Sequence, residues 1–181
     1  MIYFITGGAK NGKSSMAQDL AVAMAKGAPH YYVATMIPAD EEDHQRIRNH
    51  IQDRAGMGFE TVECGRHILS CLDQVDRTGT FLLDSVTALL LNELFPDPTS
   101  CTMDVQAAQR CARDLVTFAK SVGNIVLVSD YIYSDAERYD EVTETYRKCL
   151  ADIDRNLAAV SDTVLEVCAG NIVVHKGDIL L

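Results

Sequence analysis

The sequence predicts an α/β fold built on a mostly parallel sheet with helices on both faces. Three observations carry that reading. A glycine-rich loop, Gly7-Gly8-Ala9-Lys10-Asn11-Gly12-Lys13-Ser14, sits between an apolar run and a helical one. Short apolar runs then alternate along the chain with segments of helical periodicity, the pattern of strands joined by helical crossovers. Finally, the apolar run Phe81-Leu82-Leu83 ends in Asp84, an acid at the end of a buried strand. The loop matches G-x-x-x-x-G-K-[ST], so the fold class is the P-loop NTPase type.

Each element follows in order. Ile2-Tyr3-Phe4-Ile5 reads as a buried strand, and Ser15 to Ala25 as a helix. Lys26-Gly27-Ala28-Pro29 breaks the chain before a second strand, Tyr31-Tyr32-Val33-Ala34. Pro38-Ala39-Asp40 opens a charged helix reaching Arg54, and Phe59 to Glu63 alternates like a short strand. His67 to Val75 reads as a modest helix. A strand then ends at Asp84, and a helix runs from there to Phe95, closed by Pro96-Asp97-Pro98. Asp104 to Val122 is helical and stops at Gly123-Asn124; Ile125 to Val128 is a strand. Between Ala136 and Val160, Val142, Tyr146, Cys149, Ile153, Leu157 and Val160 recur at spacings of three and four, which predicts a long helix with that stripe buried. Thr163 to Val167 and Asn171 to Val174 end the chain as two strands about Ala169-Gly170. No linker or repeat interrupts residues 1–181, so one nucleotide-binding domain is expected.

Composition narrows the partners. The chain is 48% hydrophobic and 23% charged, as in a water-soluble globular protein, and its net charge is −10. That charge argues against a polyanionic partner, so neither nucleic acid nor an anionic membrane is expected. The apolar runs near Leu20 and Ile125 are too short to span a bilayer, so no membrane insertion is expected. The N-terminus enters a strand with no basic leader. The six cysteines (64, 71, 101, 111, 149 and 168) form no C-x-x-C pair and no zinc spacing. They read as small apolar fillers in a reduced, cytoplasmic compartment.

The loop carries the chemistry. Its glycines let backbone amides close around phosphate oxygens at a helix N-terminus. Lys13 would reach the β/γ-phosphates and Ser14 would ligate Mg²⁺. Asp84 has two readings, a Mg²⁺-holding acid of the kind phosphate-loop enzymes use or the N-cap of the following helix. The charged helix also has two. It is either a solvated face laced with ion pairs or, since Arg46, His50 and Arg54 recur every fourth residue, a cationic face able to cradle phosphate.

Taken together, these segments resemble the bifunctional adenosylcobinamide kinase/adenosylcobinamide-phosphate guanylyltransferase family of cobalamin synthesis. The resemblance rests on Gly7–Ser14, Tyr32-Val33-Ala34-Thr35, Asp40 through Arg54, Phe59-Glu60-Thr61-Val62-Glu63, and Leu82-Leu83-Asp84, in the family's order. It implies GTP and ATP as nucleotides with Mg²⁺, adenosylcobinamide as the corrinoid substrate, and a homo-oligomer, a trimer. It also implies that His50 attacks the α-phosphate of GTP and carries GMP covalently. Gly7, Gly8, Ala9, Lys10, Asn11, Gly12, Lys13 and Ser14 would bind nucleotide, with Ala34, Thr35, Met36, Ile51, Gln52, Asp53, Arg54, Glu63 and Asp84. His44 falls outside the pattern and reads as a solvated residue; His30, His67 and His175 have no constellation around them.

The second half departs from the family's residues. Where the family continues with an asparagine–glutamate pair and glycines, this chain has Ser129 followed by Asp130-Tyr131-Ile132-Tyr133-Ser134-Asp135. Tyr146-Arg147 keeps an aromatic–arginine pair, but Lys148, Ala151, Asp154 and Arg155 replace the aspartate, glycine, asparagine and glutamine. Two other readings stay open: a divergent P-loop kinase for another small molecule, and a GTP-binding regulatory protein without transferase activity.

Overall fold

The computed structural model describes residues 1–97, 99–100, 102–133 and 136–179. Expectations that touch Pro98, Cys101, Ser134 and Asp135 lie outside the described residues. The elements run β1 (Ile2–Gly7), α1 (Lys13–Ala25), β2 (His30–Ala34), α2 (Glu41–Asp53), β3 (Glu60–Glu63), a 3₁₀ helix (Ile68–Asp73), β4 (Thr80–Asp84), α3 (Val86–Leu94), α4 (Val105–Ser121), β5 (Asn124–Asp130), α5 (Glu141–Val160), β6 (Thr163–Cys168) and β7 (Asn171–Lys176). Seven strands form one sheet in the order β3-β2-β4-β5-β1-β6-β7. All the pairings are parallel except that of β6 with β7. There, Ala169 and Gly170 take positive φ angles of 48° and 75°, the left-handed pair that a tight hairpin needs.

Alternation along the central strands divides the core. Phe4, Val33, Phe81, Leu83, Ile125 and Leu127 face α3, α4, α5 and the 3₁₀ helix. Tyr3, Ile5, Tyr32, Leu82, Val126 and Val128 face α1, packing on Ala17, Leu20 and Ala21. Strands buried on both faces read as unbroken apolar runs, which is why β1, β4 and β5 were legible at once. Helix α2 is different: none of its residues is buried. It crosses between β2 and β3 beyond the sheet, held by its ends, with Asp40 accepting from the Asp43 amide at 2.9 Å. Among the described residues no helix is long and apolar enough to cross a membrane.

Four expectations change. The helix expected over residues 67–75 is a shorter 3₁₀ helix, Ile68–Asp73, with bonds such as Ser70 N–H to His67 O (2.8 Å) and with Ile68, Cys71 and Leu72 buried. Helix α5 starts at Glu141, not near Ala136, because Asp140 caps it by accepting from the Thr143 amide at 3.0 Å. Its buried stripe is also turned relative to the predicted one. Arg147, Leu150, Ile153, Asp154 and Leu157 are buried, while Val142 is exposed. Two of those positions are charged, so hydrophobicity could not mark them. Arg147 Nε donates to Ile132 O at 2.9 Å, tying down the chain beyond β5. The cysteine reading also splits: Cys64, Cys71 and Cys111 are buried fillers, Cys149 is half-buried, and Cys168, on the edge hairpin, is exposed.

Asp154 sits under the end of β5. Ser129 Oγ and Tyr133 OH both donate to its Oδ2, at 3.1 and 2.9 Å, while Oδ1 is buried with no partner. Burial, with repulsion from Asp130, pushes its carboxyl up to about 7 against the pull of the two hydroxyls. The native state therefore keeps a proton that the unfolded chain gives up near the ordinary carboxylate value. Stability from this group is present below that value and is lost as pH rises toward 7. Asp154→Asn should flatten that fall and raise stability at pH 8 by up to roughly 4 kcal/mol, with the gain vanishing toward pH 4. Urea unfolding of both proteins across pH 4–8 reads it; parallel curves would refute a protonated Asp154.

Candidate functional site

The phosphate loop is shaped by where its backbone must go. A Cβ on Gly7 would stand 2.4 Å from Val167 O on the adjoining β6, so only glycine lets β1 end there. Gly12, at φ 87°, turns the chain into α1 and serves as its N-cap without a side-chain bond. The first-turn amides of α1 are thus left for a ligand, and the helix dipole adds positive potential. Lys13 opens α1, two residues before the predicted start. Its side chain is only 5% exposed, and Nζ donates to Gly8 O at 2.7 Å and meets Asp130 Oδ1 at 2.5 Å.

Across the loop lies a cleft of about 1530 Å³, walled by the loop, by α2 and by the ends of β2, β3, β4 and β5. It gathers most of the residues expected from sequence: Ala9, Lys10, Asn11, Gly12, Lys13, Ser14, Ala34, Met36, His50, Ile51, Asp53, Arg54, Glu63 and Asp84. Four expected positions are not on its wall. Gly7 and Gly8 lie at the strand-to-loop junction, where they shape the loop rather than face the space. Gln52 is exposed on another side of α2. Thr35 is fully buried, and its hydroxyl is engaged with the backbone, donating to Ser85 O at 2.8 Å and accepting from Ser85 N–H at 2.7 Å. Thr35 therefore supports the Asp84–Ser85 corner.

Asp84 ends β4 on the cleft wall, and Ser85, not Asp84, caps α3: its hydroxyl accepts from the Ala88 amide at 3.2 Å. The carboxylate instead accepts at Oδ2 from Tyr32 OH at 3.0 Å. Burial and the Asp84 charge hold the Tyr32 phenol far above its usual range, so it stays a donor. Arg54 lies over the same tyrosine ring at 4.1 Å and donates to Thr61 Oγ1 at 3.2 Å. Thr61, Arg54, Tyr32 and Asp84 thus form one continuous floor. Tyr32 was missed as a site residue because it reads as strand core; its place two residues before Ala34 was the available signal.

Helix α2 presents Arg46 and His50 to the cleft, with Arg54 just past its end. Arg46 is exposed and paired with Asp43. His50 is half-buried, and its Nδ1 is buried with no hydrogen-bond partner. His44 is exposed, as expected, but also lies along the cleft. Sequence reasoning also missed Ser15, Gln18, Phe59 and Asp130 on this wall.

Ser14 and Asp84 both line the cleft, a hydroxyl and a carboxylate, hard oxygen donors of the kind Mg²⁺ takes. Among the described residues no group of three or more His, Cys, Asp or Glu side chains forms an ion cage. Magnesium held by one carboxylate, one hydroxyl, substrate phosphates and water suits such a sparse set.

A family model described as Cobinamide kinase / cobinamide phosphate guanyltransferase matches residues 3–174. It runs through the segment after Ser129, where the residues depart from the family pattern. The chain is 27% identical over 182 residues to the bifunctional adenosylcobalamin biosynthesis protein CobU of Salmonella typhimurium, covering 94% of this chain and 97% of that one. To the protein of the same name from Escherichia coli it is 26% identical over 179 residues, with the same coverage. Among solved structures, an ATPase domain superposes with a TM-score of 0.56 at 10% identity, covering 97% of this chain and 76% of that one. The KaiC-like protein PH0186 from Pyrococcus horikoshii gives 0.50 at 12% identity, covering 97% and 78%. These likenesses show the P-loop NTPase fold.

The corner at Asp84 yields a stability test. Ser85→Ala should cost about 1 kcal/mol by loss of the α3 cap, whereas Asp84→Asn should stay within about 0.5 kcal/mol of wild type. Urea unfolding of the two variants at neutral pH separates them; a Ser85→Ala protein as stable as wild type would refute the Ser85 cap.

Proposed function

We propose a function from one premise: the chain belongs to the Cobinamide kinase / cobinamide phosphate guanyltransferase family. Membership makes it an enzyme of that class in cobalamin biosynthesis. The finer reading is that both reactions run in the one cleft, within a single nucleotide-binding unit spanning residues 1–181. In the first, the hydroxyl oxygen of adenosylcobinamide attacks the γ-phosphorus of ATP or GTP. The bridging P–O bond breaks, the nucleoside diphosphate leaves, and the hydroxyl proton passes to solvent. Lys13 and the loop amides hold the β/γ-phosphates, so catalysis is positioning and charge neutralisation. Ser14 and Asp84 would hold Mg²⁺, which would further neutralise the phosphate oxygens.

In the second reaction, His50 attacks the α-phosphorus of GTP. A P–N bond forms, the α–β bridging bond breaks and pyrophosphate leaves. The corrinoid phosphate then displaces the imidazole to give adenosyl-GDP-cobinamide. Because Nδ1 is buried, Nε2 is the nitrogen assigned to the attack. Arg46 and Arg54, one turn to either side, offset the negative charge that builds on the phosphate oxygens. The observation that carries this reading is that His50, on α2, shares the cleft with Lys13 and Ser14 of the phosphate loop.

The experiment is incubation with α-labelled GTP and Mg²⁺, with and without adenosylcobinamide, followed by denaturing separation. Wild type should carry an acid-labile, base-stable label. His50→Ala should lose the label yet keep much of the kinase step, and Lys13→Ala should remain folded but lose tight triphosphate binding. A label persisting in His50→Ala would move the nucleophile elsewhere. No label in wild type with GTP bound would leave a kinase alone.

A homo-oligomer, a trimer, belongs to the same reading. Its support is β7, an edge strand on which Ile172, Val173 and Val174 are all more than 40% exposed. Sedimentation equilibrium should give an oligomer that Val174→Lys weakens; a monomeric wild type would refute it.

A further inference from the structure

The strand order places β5 between β1, which feeds the phosphate loop, and β4, which ends in Asp84. Asp130, the last residue of β5, pairs in register with Gly7, while Asp84 pairs with Val128 two residues earlier. The Asp130 amide donates to Thr87 Oγ1 on α3 at 2.8 Å, and the Tyr131 amide to Gly7 O at 3.2 Å, so its backbone is fixed from both sides. Its carboxylate lines the cleft and reaches Lys13 Nζ at 2.5 Å.

Lys13 needs such a partner. Its ammonium lies on a side chain almost wholly removed from water, and Gly8 O by itself supplies no charge to balance it. Asp130 is that anion. A triphosphate brings a second anion to the same lysine, and the two compete. Resting on the nucleotide reading above, we propose that Asp130 is a displaceable counter-ion of Lys13, a positioning residue that opposes triphosphate binding and thereby sets nucleotide affinity. It acts twice in the same direction. Its attraction for Lys13 must be given up when phosphate binds, and the freed carboxylate is left beside the incoming negative charge. Neutralising it removes both costs, so the effect belongs to the phosphates that Lys13 meets.

The test is isothermal titration of the intact chain with Mg²⁺-GTP and, separately, with GMP, which lacks the β- and γ-phosphates. Asp130→Asn, nearly isosteric, should bind Mg²⁺-GTP about tenfold more tightly, a gain of about 1.4 kcal/mol, with GMP affinity unchanged. Asp130→Glu, which keeps the charge, should stay near wild type. The nucleotide-free Asp130→Asn protein should melt lower than wild type, because Lys13 has lost its anion, yet gain more from added GTP. Should Asp130→Asn prove hard to handle, thermal shifts of Asp130→Glu and Asp130→Ala with and without GTP read the same order. Weaker GTP binding in Asp130→Asn would overturn the inference, since the carboxylate would then be serving the ligand. Equal GTP affinity, or equal tightening for GMP, would overturn it as well. A folded wild type that binds no GTP would instead overturn the nucleotide reading on which the inference stands.

Discussion

The side-by-side parallel endings of β4, β5 and β1 are the constraint on which the site depends. Each strand runs apolar through the sheet and turns polar or glycine at its end, finishing in Asp84, Asp130 and Gly7. Parallel pairing brings all three endings to one edge, and the register fixes their depth to within a residue or two. A slip of one residue would turn every strand side chain to the other face. Phe81 and Leu83 would then leave the α3–α5 layer for the α1 layer, and the aspartate would go with them. The core that defines the register therefore also aims the chemistry. Two helices of opposite role meet this edge. Helix α1 arrives with its amide end toward the loop, whereas α3 begins beside Asp84 with its first turn satisfied by Ser85.

Helix α2 obeys a different rule. It buries none of its own residues, so hydrophobic packing does not hold it against the sheet. Its attachments are at its two ends. Asp40 and Asp43 cap the start, and at the far end Arg54 stacks on Tyr32 while the His30 ring contacts Met57 O at 2.9 Å. Elements with few buried contacts lie at the low end of local stability. Among the walls of the cleft, α2 is thus the one with the least apolar anchoring.

What could be read along the chain was what is local. The loop, its flanking strand and helix, and the acid ending β4 are contiguous patterns whose physical roles do not depend on distant residues. The four-residue recurrence of Arg46, His50 and Arg54 was also local, and the structure sets all three along the cleft. What could not be read was pairing across the fold. Tyr32 looks like a core residue until β2 lies against β4 and its hydroxyl reaches Asp84. Thr35 looks like a ligand contact until its hydroxyl is found bound to the Ser85 backbone. The buried stripe of α5 was misplaced because Arg147 and Asp154 are buried for their hydrogen bonds, which no hydrophobic pattern reports.

Asp130 and Asp84 bring out a tension in the whole molecule. The chain carries a net charge of −10, and its candidate site is ringed by Asp84, Asp130 and Glu63. Long-range attraction therefore does not bring a polyanionic nucleotide in; the general field opposes it. Affinity for an anion there has to come from short-range groups, namely the amides of the loop, the α1 dipole, the buried Lys13 and the cleft arginines Arg46 and Arg54. The acids also have partners of their own within the protein. Asp130 balances Lys13, and Asp84 receives the Tyr32 hydroxyl. Asp130 thus gives the buried Lys13 a charge partner within the protein, as an ammonium held away from water requires.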